Sequence, residues 1–235
     1  MPVIDVAENA PGLITLTTPN LEETVDFFRR LMDLQPVESG DQVFLTWREV
    51  PILSLTDHTF EAFVIGFGTD DLHESVARAR SLGAHAEDTG MVADPNNVPF
   101  LLMQTPAFFA VGEAGTMVWL EYSSPEPPVG FYRELFGWRM DDEQSDNITI
   151  AHVEDTAIGW FWQLNRPDSV WVPYFGVVDL DAALANVDQK YVLQTPSNSF
   201  LGPTAVLTTP GGAEFGLVQL FVVGGDDHGS GVPQS

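Results

Sequence analysis

A short apolar run leading into a helix start recurs four times along this chain, and the recurrence restricts the folds open to it. Gly12–Thr17 precedes Asn20, Phe63–Gly68 precedes Asp71, Met117–Tyr122 precedes Pro125, and Trp171–Val178 precedes Asp179. Asn and Asp satisfy the free N–H groups of a first helical turn, and apolar residues follow at helical spacing. In the third copy prolines stand there instead, where a missing N–H is no loss. The starts fall 51, about 54 and 54 residues apart. Further strand candidates follow each helix: Asp41–Trp47 and Pro51–Thr56, then Pro99–Gln104, then Asn147–Val153 and Ala157–Leu164, then Ala213–Phe221. The turn signals Asp94-Pro-Asn-Asn97 and Thr209-Pro-Gly-Gly212 introduce the second and fourth sets. Each unit of roughly 50 residues therefore reads β-α-β-β(-β). A unit of that size cannot bury its own sheet face, so the units must pair.

Charge is the second constraint. Against 34 acidic residues stand 9 basic ones, a formal net charge of −25, and Lys190 is the sole lysine. Nucleic acid and anionic membrane surfaces need a basic footprint, so neither is an expected partner. The excess is spread evenly, −13 over residues 1–114 and −12 over 115–235. It fits a solvated surface suited to high salt, or attraction for a cationic small molecule. Zero cysteines exclude disulfides, thiolate nucleophiles, iron–sulfur clusters and cysteine-type zinc sites. No run approaches the roughly 18 apolar residues of a membrane helix, and the first residues lack the pattern of a signal peptide, so a cytoplasmic location is expected. The division expected is an N-terminal segment 1–11, a first domain 12–104, a linker 105–116, a second domain 117–223 and a disordered tail 224–235.

These segments resemble the vicinal oxygen chelate superfamily of glyoxalase I, bleomycin-resistance proteins and extradiol dioxygenases. The likeness is carried by Asn20–Leu34 with its Phe27-Phe28-Arg-Arg-Leu-Met run, by Phe131–Trp138, by Val177–Leu184 and by the two turn-strand endings. It spans residues 10–222 and is similar to a two-domain subgroup. It implies an α+β fold of four βαβββ modules paired into two domains with cup-shaped mixed sheets. Metal-dependent members carry a His seven residues before the helix cap and a Glu seven residues after the turn Asp-Pro. Those counts reach Leu13, Val64, Val118 and Val172, then Leu101 and Gly216, none of which offers imidazole or carboxylate. No metal in the usual site and no cofactor are therefore expected. Glu121, His152 and Glu214 are the candidates for a relocated site.

Without a metal, side chains must supply the chemistry. Glu121, His152 and Glu214 each lie on a strand candidate and are the expected catalytic groups. Period-2 alternation puts Trp160 and Trp162 on one sheet face, and Trp119 and Glu121 on one face. Trp119, Trp160, Trp162, Trp171, Tyr174 and Phe215 are expected to line one cup, and Trp47 and Phe63 another. The favoured function is a metal-independent tailoring enzyme of isomerase, cyclase or lyase type acting on an apolar or aromatic metabolite. The alternatives are a non-catalytic protein that sequesters a small molecule, such as a cationic antibiotic, and a metal-dependent dioxygenase or lyase with relocated ligands. The chain is expected as a monomer or homodimer.

Overall fold

Each of the four units folds as βαβββ. The computed structural model describes residues 8–104, 112–142 and 147–220. The first unit runs β1 (Pro11–Thr18), α1 (Leu21–Met32), β2 (Gln35–Ser39), β3 (Gln42–Trp47) and β4 (Val50–Asp57). The second runs β5 (Ala62–Thr69), α2 (Leu72–Ser81), β6 (His85–Ala86), β7 (Met91–Ala93) and β8 (Pro99–Gln104). The third runs β9 (Met117–Ser124), α3 (Val129–Phe136), β10 (Arg139–Asp142), β11 (Ile148–Val153) and β12 (Thr156–Gln163). The fourth runs β13 (Val170–Val177), α4 (Leu180–Leu184), a 3-10 turn, β14 (Val192–Ser199), β15 (Gly202–Thr208) and β16 (Glu214–Gln219). The expected tail 224–235 and residues 105–111 of the expected linker lie outside the described residues, as do residues 1–7 of the N-terminal segment. Residues 112–116 are docked on β13, with Gly115 N–H donating to Gly176 O at 2.8 Å.

Units pair into two eight-stranded mixed sheets of the same order, β2-β3-β4-β1-β5-β8-β7-β6 and β10-β11-β12-β9-β13-β16-β15-β14. In each sheet the first strands of its two units meet antiparallel, β1 against β5 and β9 against β13. Each first strand also lies parallel to the last strand of its own unit. Helices begin where the sequence indicates at Asp71 and Asp179, whose side chains accept from Glu74 N and Ala182 N at 2.9 Å. Asn20 also precedes a helix, but its amide donates to Glu23 instead of capping. The third helix starts later than expected, with Pro128 rather than Pro125 at the cap. Most strands with no sequence signal are exposed or very short, but β15 carries Ala205 and Leu207 into the core. β2 is exposed throughout and β14 nearly so, so neither needs an apolar face.

The helix-bearing faces of the two sheets are packed together through aromatic rings. From α1, Phe27 meets Phe215 at 6.0 Å, and Phe28 meets Phe175 and Phe215 of the second sheet at 6.3 and 5.5 Å. From α3, Phe136 and Tyr132 meet Phe67 and Phe100 of the first sheet at 4.9 and 5.8 Å. One continuous core results, shared by both sheets. The face of each sheet turned away from this core is its cup.

A polar lock sits inside this core. Asp94, 3% exposed, accepts from Tyr122 Oη at 2.6 Å, Tyr132 Oη at 2.9 Å, Asn96 N at 2.8 Å and Val98 N at 2.9 Å. Its turn belongs to the first sheet and both tyrosines to the third unit, so the carboxyl joins the halves. The matching turn at Thr209 has no acid of its own. There Glu61 is brought in, accepting from Thr209 Oγ1 and from Ala213 N at 3.3 Å. Burial raises the Asp94 pKa above its ordinary value and outweighs the donors that lower it. The folded state thus holds a proton that the unfolded chain has lost, and stability falls as pH rises from about 3.8 to the raised value. In urea denaturation across that window, Asp94→Asn is expected to remove this component of the pH dependence. Asp94→Ala leaves two hydroxyls and two N–H groups without an acceptor and is expected to cost about 3 kcal/mol.

Candidate functional site

The cup of the second sheet is built on one rung. Glu121 on β9 lies directly opposite Trp160 of β12 on one side and Val172 of β13 on the other. Alternation turns Trp119, Glu121 and Ser123 to the cup, and Leu120 and Tyr122 to the shared core. Glu121 is 5% exposed, yet its carboxylate is well supplied. Oε2 accepts from Trp160 Nε1 at 2.9 Å and from Tyr174 Oη at 2.8 Å, and Oε1 accepts from Ser123 Oγ. Two neighbouring strands and its own strand thus each send it a donor. Tyr174 fits because β16 has a glycine beneath it: a Cβ at Gly216 would lie 2.0 Å from Tyr174 Cδ1. Burial, and then the Glu121 charge, push the Tyr174 phenol well above its usual pKa, so it remains a donor.

Rings surround this carboxylate. Trp119, Trp160, Val172, Tyr174 and Val218 form an apolar cluster separate from the inter-sheet core, with Trp162 packed against it. Trp119 and Trp160 stand 5.4 Å apart at 69°, and Trp160 and Trp162 6.1 Å apart at 73°. Phe200, at the tip of the β14–β15 hairpin, is 64% exposed and covers Trp119 at 5.2 Å and Trp160 at 5.0 Å. Trp119 Nε1 is buried without a hydrogen-bond partner among the described residues.

The remaining sequence candidates go elsewhere. Trp171, Phe215 and Phe63 point into the shared core: Trp171 packs on Tyr122 at 4.7 Å, and Phe215 on Phe28 and Phe63. The expectation that they line a cup is thereby corrected. Alternation groups residues by face but does not say which face a group takes. Trp47 is also outside the first cup. It borders a separate groove of about 330 Å³, with Arg48 stacked on it at 4.1 Å. His152 sits on β11 opposite Arg139, its Nδ1 3.7 Å from Asp141 Oδ2. Glu214 is held by Arg166 at 3.3 Å in a cavity of about 230 Å³ between the sheets. Of the three acid–base candidates, Glu121 alone is in the ring-lined cluster. Ser123 and Phe200 were not singled out in the sequence. The alternation through Trp119 and Glu121 leads directly to Ser123, whereas nothing in a polar hairpin marks Phe200.

The later cap of α3 also corrects one ligand position. Seven residues before Pro128 is Glu121, not Val118, and Glu121 faces Val172, the position counted from Asp179. In the first sheet the residue facing Val64 is Thr15 rather than Leu13. The second cup thus combines one carboxylate with Val172 and Gly216. A hard divalent ion needs several imidazole or carboxylate donors, and the described residues do not group three such side chains anywhere. This donor set does not fit the metal of metal-dependent members.

No family model matches the sequence, and no curated protein matches it. Solved structures do. A variant of homoprotocatechuate 2,3-dioxygenase from Brevibacterium fuscum superposes with TM-score 0.70 at 17% identity, over 97% of this chain and 76% of that one. The room-temperature structure of an extradiol ring-cleaving dioxygenase from the same organism gives TM-score 0.71 at 16% identity. The Mn(II)-bound glyoxalase from Novosphingobium aromaticivorans gives TM-score 0.68 at 14% identity, over 92% of this chain and 83% of that one. The chain has the vicinal oxygen chelate fold.

Removing Glu121 should cost stability, because it strands a buried indole N–H and a buried phenol. Glu121→Ala is expected to lower the unfolding free energy by about 2–4 kcal/mol in urea denaturation, and Tyr174→Phe by about 1 kcal/mol, since two donors remain.

Proposed function

We propose that the cup of the second sheet binds a small molecule with an apolar or aromatic face, that it does so without a metal ion, and that Glu121 is its ionisable centre. The observation that carries this reading is the carboxylate of Glu121 held among Trp160, Tyr174 and Ser123 under exposed Phe200, with Val172 and Gly216 at the positions where a metal would need donors. Rings supply contact area at small entropic cost, and the few polar groups orient what they hold. Binding or sequestration is the function this arrangement supports best. Acid–base catalysis by Glu121, His152 and Glu214 together has less support, because Glu214 is ion-paired with Arg166 and neither it nor His152 hydrogen-bonds to Glu121 among the described residues.

A second reading, a metal-independent isomerase, cyclase or lyase, has one specific observation behind it. Ser123, Glu121 and Tyr174 form a continuous hydrogen-bonded chain on the cup floor. In such a chain the Glu121 carboxylate accepts a substrate proton while the two hydroxyls hold the carboxylate in place. Metal-dependent dioxygenase or lyase chemistry draws support from the fold alone.

Tryptophan fluorescence titrated against a panel of aromatic and amine metabolites tests the binding reading. Saturable quenching is expected, equal with and without EDTA, and weakened at least about tenfold by Trp160→Ala, the loss of one large buried anchor. Flat titrations across the panel, or binding that EDTA abolishes, would overturn it. Product formation that Glu121→Gln removes while binding persists would favour the enzyme.

A further inference from the structure

We propose that the ligand of this cup is an organic cation, an alkylammonium bearing an oxygen acceptor, bound on the faces of Trp160 and Tyr174. The proposal rests on the binding reading above and names its ligand class. Three observations point to it, none of them an acid cluster on the surface.

The first is how the rings are wired. Trp160 Nε1 and Tyr174 Oη donate to the same oxygen of one buried carboxylate, at 2.9 and 2.8 Å. A donor hydrogen-bonded to an anion returns electron density to its ring and makes the ring face more negative. A cation is attracted to that face, most strongly when water is excluded. Glu121 thus acts on a bound cation through two aromatic systems as well as by its own charge.

The second is the charge balance of the cup. Glu121 makes no ion pair among the described residues, and its three donors are neutral. Two guanidinium groups of the second half are taken by other acids: Arg166 by Asp168 and Glu214, Arg139 by Asp141. A buried carboxylate without a counter-charge is costly, and a ligand cation would supply the missing charge.

The third is the unpartnered N–H. Trp119 is 5% exposed and its Nε1 has no acceptor among the described residues. A hydroxyl, ether or carbonyl oxygen on the ligand would satisfy it. The rings meet nearly at right angles, 69° for Trp119 with Trp160 and 76° for Trp160 with Tyr174, so they form walls instead of a stack. Phe200 covers two of these walls from an exposed hairpin tip and would be displaced on entry.

The test compares choline and benzyltrimethylammonium with their neutral carbon isosteres, by tryptophan quenching and calorimetry on the full chain. Each cation is expected to bind about tenfold or more tighter than its isostere. Tyr174→Phe and Trp160→Phe keep a ring but cut the link to Glu121. Each is expected to weaken the cation about threefold to tenfold more than it weakens the isostere, with near-UV circular dichroism confirming that the variants are folded. If the isosteres bind as tightly as the cations, or if both variants weaken cation and isostere alike, the cation proposal is overturned and the binding cup stands. If cations, isosteres and neutral aromatic compounds all give flat titrations, the binding reading fails with it.

Discussion

The aromatic layer between the two sheets determines what the rest of the molecule is free to do. A βαβββ unit has one helix and more sheet than that helix can cover. Here the uncovered apolar area is buried by setting the helix-bearing faces of the two sheets against each other, with rings of α1 on the second sheet and rings of α3 on the first. Burial of that kind is the main favourable term in folding. Because the layer satisfies the inner faces, the outer faces are released from core duty and can be shaped as cups. Asp94 adds direction to an otherwise non-directional contact, since four donors from fixed elements must converge on one carboxyl.

The two cups share a frame and differ in chemistry. The central rung of the first reads Ser54–Thr15–Val64, and the same rung of the second reads Trp160–Glu121–Val172. Two residues further along the strand, on the same face, the first sheet has Gly66, covered by Met103, whose Cε would lie 2.7 Å from a Cβ there. The second sheet has Tyr174 instead, with the glycine moved across to Gly216. The large side chain comes from β8 in one cup and from β13 in the other. That exchange lets a phenol reach the carboxylate in the second cup, and leaves a flexible thioether as filling in the first.

Much of this was legible in the sequence, for a physical reason: helix caps and turns are local. Asn20, Asp71 and Asp179 mark helix starts without reference to the rest of the chain, and their near-constant period gives the modules. The cap of the third unit is the exception, because three prolines in Pro125–Pro128 all suit a first turn and only packing selects Pro128. That slip of three residues turned a carboxylate position into an apparent valine. Faces were legible as parity but not as direction. Trp119 with Glu121, and Trp160 with Trp162, share a face as alternation requires. Trp171 and Phe215 look the same in sequence yet face the opposite way, because the neighbouring sheet is absent from any local pattern.

The charge of −25 acquires a more definite meaning beside this geometry. Spread over the whole surface it cannot choose a site, and at physiological salt its reach is about 8 Å. Glu121 is different in kind: it is buried, its dielectric surroundings are low, and its field is not screened in the same way. A surface of one sign raises the local concentration of an oppositely charged ligand and speeds its arrival. In the proposed binding mode, a cation that had entered would be held by the rings and the one carboxylate they share. Diffuse surface charge and a single buried charge would thus govern successive steps, arrival and retention, and would respond differently to salt: raising ionic strength should slow association far more than it speeds dissociation.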